Sequence, residues 1–135
     1  MSPLVDTNVL SELFRPRPDP GVVRWAESLT DIRLSVITID ELWYGLTRKP
    51  GERLVTSVET FLDTRCEVLP VTSEIAKQSG VLRARLTARG RPSTQADMLL
   101  AATALVHGLT LVTRNTHHFQ GCPIALMDPF QLPGE

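Results

Sequence analysis

Three acids stand at points where short strand-like runs would give way to helices. Asp6 follows Pro3-Leu4-Val5 and opens Asp6-Thr7-Asn8-Val9-Leu10, Glu41 lies in Thr38-Ile39-Asp40-Glu41-Leu42, and Asp97 lies in Thr94-Gln95-Ala96-Asp97. Singly, each has an ordinary explanation. Asp is a favoured helix N-cap, contributing about 1 kcal/mol. Thr38 with Glu41, and Thr94 with Asp97, match the reciprocal capping box, in which a hydroxyl and an acid three residues on satisfy each other's backbone donors. Jointly they point to more. Ionised carboxylates gathered in one place repel until one protonates, unless a divalent cation joins them. A hard ion such as Mg²⁺ takes oxygen ligands, commonly one or two carboxylates with retained waters. It can also lower the pKa of a bound water until that water becomes a nucleophile. Hydrolysis by metal-activated water is the chemistry open to such a trio.

Whether the acids meet depends on the elements that carry them. Strands are expected at Pro3–Val5, Ile32–Ser35, Glu67–Val71, Leu109–Thr113 and Ile124–Met127. Between them lie helical patterns: Asp6 to Phe14, Val22 to Leu29, Ile37 to Arg48, Leu54 to Thr64, Ser73 to Arg89 and Thr94 to His107. Ile39, Leu42, Trp43 and Leu46 share one face of the third. Pro16, Pro18 and Pro20 break the first helix from the second, because proline lacks the donor that helices use. Pro50 and Gly51 part the third helix from the fourth, and Gly108 sits where a left-handed C-cap is expected. Alternating strands and helices predict an α/β domain with a central, mainly parallel sheet. In such a fold each crossover helix runs back against its strands, so helix starts gather at the carboxyl edge of the sheet, where open α/β folds place ligands. All three acids are expected in the first turns of helices starting on that edge. Asp97 shares its helical face with Ala101 and Ala104, so an ionised carboxylate there needs a partner.

Length and composition set limits. At 135 residues, 42% of them hydrophobic, the chain fits one domain spanning 1–135. No apolar run is long enough to span a bilayer, so a soluble cytoplasmic protein without membrane contact is expected. Cys66 and Cys122 stand far apart with no metal-ligand spacing, which suggests neither a disulfide framework nor a zinc site. A net charge of −1 and a pI near 6.3 argue against a protein that mainly grips nucleic acid through phosphates. Arg83, Arg85, Arg89 and Arg91 nevertheless cluster, either as an ordinary solvated face or as a track for RNA. A phospho-acceptor enzyme with Asp6 as nucleophile would need a second acid close behind and a late lysine. Asn8 takes the first place, and the only lysines are Lys49 and Lys77.

Four segments, in order, carry a resemblance: Asp6-Thr7-Asn8-Val9-Leu10-Ser11-Glu12, Leu34 to Thr38 running into Glu41-Leu42-Trp43-Tyr44-Gly45, Asp97 to Ala104, and Leu111-Val112-Thr113-Arg114-Asn115. They resemble the successive motifs of PIN-domain ribonuclease toxins of the VapC type, the FitB-like branch included. The resemblance implies a three-layer α/β/α fold around a sheet of four to five strands, and an endoribonuclease dependent on Mg²⁺ or Mn²⁺. It implies Asp6 and Asp97 as metal ligands, with Glu41 and the segment after Thr113 completing the pocket; for hydrolysis by metal-activated water, Asn8 and Thr113 are expected to orient those ligands from behind. It further implies a homodimer partnered by a small VapB-like antitoxin that blocks the pocket, with operator DNA contacted only through that antitoxin.

At the fourth corner the chain departs from this pattern. Relatives place an acid shortly after the Thr-Arg pair, whereas Thr113 to Phe119 reads Thr-Arg-Asn-Thr-His-His-Phe. Asn115 stands at one acid position and His118 at the other; the amide of Asn115 can bind metal or water without charge. One firmly held ion is expected, with a second more weakly bound. His117 and His118 read as loop-packing residues, and His107 as a helix C-terminal residue favoured by the dipole. The rival to an active nuclease is a weak or inactive PIN-like scaffold that binds RNA or a partner.

Overall fold

In a computed structural model of the protein, residues 2–49 and 51–131 are described; Met1, Pro50 and 132–135 lie outside the described residues. Five strands form one sheet: β1 Pro3–Val5, β2 Ile32–Ser35, β3 Cys66–Leu69, β4 Thr110–Val112 and β5 Leu126–Met127. Their order is β3-β2-β1-β4-β5, and every pairing is parallel, with Leu4 opposite Arg33 on one side and Leu111 on the other. The chain thus winds outward from β1 through β2 to β3, then crosses to build β4 and β5. Such a reversal opens a crevice beyond the carboxyl ends of the two strands flanking it, here β1 and β4.

Six α-helices cover the sheet: α1 Thr7–Glu12, α2 Pro20–Glu27, α3 Val36–Arg48, α4 Glu52–Arg65, α5 Ser73–Ala88 and α6 Gln95–His107. Alternation of side chains along the strands sorts them into two layers. Leu4 and Leu111 point into a core shared with α5 and α6, while Val5 and Val112 point into one built by α1 to α4. The expected three-layer α/β/α arrangement is therefore present. Local signals explain several ends. Asp19 accepts bonds from Gly21 and Val22 N–H at 2.9 and 3.1 Å and caps α2, where Pro20 occupies a first-turn position that needs no donor. Gly108 ends α6 with φ of 65°, a left-handed conformation that glycine adopts without a Cβ clash.

Most element boundaries differ from expectation by one or two residues, and three of the differences have a clear local cause. α3 begins at Val36, because Ser35 at the end of β2 caps it by accepting the Ile37 N–H at 3.0 Å. Thr38 is therefore not a cap, and its buried hydroxyl has no hydrogen-bond partner. Glu41 consequently lies in the second turn of α3, not the first. β3 runs from Cys66 to Leu69 because Cys66 pairs with Ile32, and Pro70 beyond it has no N–H for the ladder. β5 keeps only Leu126 and Met127, paired with Leu111 and Val112, while Ile124 packs against the core instead of extending the strand.

Candidate active site

Asp6 follows β1 directly as the N-cap of α1 and is 6% exposed. Its carboxylate is fixed on both oxygens. Oδ1 accepts the Thr7 N–H at 2.7 Å, and Oδ2 accepts the Thr113 hydroxyl at 2.8 Å and the Asn8 amide at 3.3 Å. Thr113, at the end of β4, is fully buried, and its oxygen also accepts the Asn115 N–H at 3.0 Å and the Asn8 amide at 3.4 Å. Asn8 in turn accepts the Arg114 N–H at 3.1 Å, so the two polar residues lock Asp6 to the segment that follows β4. Burial pushes the Asp6 carboxyl above the usual range. The bonds from Thr113 and Thr7 pull it back, and the nearby charge of Asp97 raises it again.

Glu41 reaches the same edge from α3 and accepts the Thr7 hydroxyl. Its carboxyl too is raised, first by partial burial and then by the charges of Asp6, Asp97 and Asp40, against the lowering pull of Thr7. Asp97 sits in the first turn of α6, where the Thr94 hydroxyl accepts its N–H at 3.1 Å. Its Oδ2 lies 3.3 Å from His118 Nδ1. A cleft of about 320 Å³ lined by Pro92, Ser93, Thr94, Asp97 and His118 opens beside the pair. The partner that an acid on the packed face of α6 required is thus His118.

The structure joins Asp6, Asn8 and Thr113 by hydrogen bonds, brings Glu41 to them through Thr7, one turn later in its helix than expected, and sets Asp97 near enough for its charge to act on Asp6 and Glu41. Asn115 joins through its backbone N–H to Thr113 and opens the short 3₁₀ turn Thr116–Phe119. His117 stays outside, packed edge-on against His118 with ring centres 4.3 Å apart. The sequence placed His118 at an acid position of the fourth corner but read it as a loop-packing residue, because it is one of two adjacent histidines on a short loop. The usable signal was Phe119, an apolar anchor that is fully buried in the α5–α6 core and turns the preceding residue toward Asp97.

The donor set suits a hard divalent ion. Burial and the charge of Asp97 raise the proton affinity of both Asp6 and Glu41, and the charge of Asp6 raises that of Glu41 further. The polar groups that bond the two are hydroxyls, an amide and a backbone N–H. Among the described residues no three His, Cys, Asp or Glu side chains stand close enough to enclose an ion by themselves.

The PIN domain profile matches residues 4–121. This chain belongs to the PIN-domain family. Among PIN-domain relatives, it is 36% identical to toxin FitB of Neisseria gonorrhoeae, over 94% of this chain and 97% of that protein. It is 31% identical to VapC ribonuclease Y4jK of Sinorhizobium fredii, over 95% and 97%. The crystal structure of DNA-bound VapBC from Salmonella typhimurium contains a similar PIN chain, with a TM-score of 0.83 and 30% identity, covering 96% of this chain and 98% of that one. PIN-domain ribonucleases generally depend on divalent metal.

Proposed function

We propose that this chain is the toxin of a type II toxin–antitoxin pair, an endoribonuclease that hydrolyses RNA phosphodiesters with Mg²⁺ or, in its place, Mn²⁺. The observation that carries the reading is the crevice between β1 and β4, where buried Asp6, fixed by Thr7, Asn8 and Thr113, and the more exposed Glu41 both have carboxyls raised by desolvation and by the charge of Asp97. A divalent cation bound there supplies Lewis acidity toward the phosphodiester and a water of lowered pKa. Asp6 and Asp97 are the residues to hold it, and Thr113 and Asn8 keep Asp6 in a single orientation from behind. Glu41, positioned by Thr7, takes the proton from the attacking water, a task that its raised proton affinity favours. Attack of that water oxygen on phosphorus breaks the bond to O3′, leaving 5′-phosphate and 3′-hydroxyl ends. His118 orients Asp97, and Asn115 offers an uncharged oxygen at the fourth corner.

The whole chain acts as one domain and works in the cytoplasm as a homodimer. Its partner is a small VapB-like antitoxin, and operator DNA is met only through that antitoxin, in keeping with the DNA-bound VapBC relative. Among the described residues no helix is long and apolar enough to cross a membrane. Asn115, where an acid would complete the ring, favours a second reading as a PIN-like scaffold of weak activity. One assay separates the two. Purified protein with total RNA is expected to cleave with Mg²⁺ or Mn²⁺ and stop with EDTA, and Asp6→Asn or Asp97→Asn is expected to lower the rate by about a hundredfold or more. RNA binding without metal-dependent cleavage would establish the scaffold instead.

A further inference from the structure

The outer face of α3 carries groups that the acidic centre does not use. At ~100° per residue, Tyr44 and Arg48 fall within about 60° of Glu41 around the helix, on the side turned away from the core. Tyr44 is 64% exposed, while the other exposed large hydrophobic residues among those described, Val36, Leu54, Val68 and Val81, are aliphatic and no more than 41% exposed. The Arg48 guanidinium lies over the Tyr44 ring, 5.4 Å from its centre. A shallow groove of about 560 Å³ runs beside them, lined by Asp40, Trp43, Tyr44, Thr47 and Arg48. Arg48 covering one side of a surface tyrosine is an ordinary helical pairing at a spacing of four residues. The location makes it more than that. Tyr44 rises only ~4.5 Å along the helix beyond Glu41, and Arg48 ~10 Å beyond it.

Resting on the ribonuclease reading, we infer that Tyr44 and Arg48 form a base-stacking and phosphate subsite that holds single-stranded RNA beside Glu41. A base has a π-face whatever its identity, and an exposed ring backed by a guanidinium is the surface that takes it. Arg48 supplies the positive charge that an RNA strand needs where Asp6, Glu41, Asp97 and Asp40 otherwise repel its phosphates. Trp43 and Tyr44 give the groove ring faces, and Asp40, Thr47 and Arg48 give it polar groups, the combination that the base and the sugar-phosphate of a nucleotide use together. Tyr44 thus becomes a binding residue that sets where the strand lies relative to the scissile bond.

The test is a fluorescence anisotropy titration of short single-stranded homopolymer RNAs against the full chain, with Ca²⁺ in place of Mg²⁺. Tyr44→Ala is expected to weaken binding about tenfold, the loss from removing one stack, while Tyr44→Phe keeps the ring and binds as the wild type. Arg48→Ala is expected to flatten the dependence of log affinity on log salt by about 0.7, one phosphate contact on a single strand. Wild type and Tyr44→Ala are expected to bind a ribose-phosphate oligomer lacking bases equally. Because the ring is exposed, Tyr44→Ala is expected to melt as the wild type does.

Equal affinity of wild type and Tyr44→Ala for the homopolymers, no binding by the wild type, or the same Tyr44→Ala loss with the base-free oligomer each overturns the inference. So does a Tyr44→Ala protein whose oligomeric state changes while RNA binding does not, which assigns the face to a second copy. Cleavage of total RNA by the wild type is measured in parallel. If cleavage persists while any of these results is found, the subsite alone is wrong; if cleavage is also absent, the ribonuclease reading falls with it.

Discussion

Replacing Thr113 with valine keeps the shape of a fully buried side chain and removes one oxygen. That oxygen donates to Asp6 Oδ2 at 2.8 Å and accepts the Asn115 N–H at 3.0 Å. A hydrogen bond to a charged group contributes about 1.5–3 kcal/mol and an ordinary one about 1 kcal/mol, so Thr113→Val should cost about 2–4 kcal/mol of stability. In a domain of this size that lowers the melting temperature by about 8–16 °C, read by circular dichroism at neutral pH. The functional signature is separate. The Thr113 bond is the largest influence lowering the Asp6 carboxyl, so its loss lets burial push that carboxyl higher. Cleavage, which needs Asp6 ionised, should then lose its acid limb at a higher pH. Thr113→Ser keeps the hydroxyl, costs about 1 kcal/mol for the lost methyl, and should restore the wild-type limb. A Thr113→Val protein melting within about 2 °C of wild type, with its acid limb unmoved, would refute the claim that this hydroxyl fixes Asp6.

Asp6 and Glu41 both hold their protons to higher pH in the folded state than in the unfolded chain. Where the native state binds more protons, stability falls as pH rises; this contribution is full below the unfolded carboxylate range and is lost as pH climbs through the raised folded values. Urea denaturation of metal-free protein from about pH 4 to about pH 8 should show the wild type losing stability relative to Asp6→Asn, and a constant difference would contradict the shared cause. Glu41→Gln should slow cleavage by about 10²–10⁴-fold while calorimetric Mn²⁺ affinity stays as in wild type, because Glu41 is assigned the proton and not the ion. Equal losses in both measurements would make it a ligand.

Much of this was readable in the residues. Ile32–Ser35 stands where its apolar run between turn signals puts it, and Gly108 caps α6 as its place after His107 implies. Asp6 and Asp97 were found through helix-start chemistry, which is local and therefore visible in sequence. Glu41 showed the limit of that method. Thr38 and Glu41 match a capping box, yet Ser35 lies at the end of β2 and claims the cap three residues earlier, so strand geometry overrode the motif. His118 was hidden for a different reason. Its contact with Asp97 depends on Phe119 entering the core through a turn of 3₁₀ helix, and although Phe119 marks an anchor in the sequence, the place where it anchors is set by tertiary packing.

The central place of β1 has a temporal side. Asp6 leaves the ribosome 107 residues before Thr113, the partner that holds its carboxylate. At ordinary rates of synthesis that gap lasts about 5–20 s, during which β1 has no β4 beside it and the crevice has one wall. His118 is made later still. A chain halted anywhere before β4 carries the first acid motif intact and has no assembled centre, so on the proposed mechanism incomplete translation products of this protein are expected to leave RNA uncut.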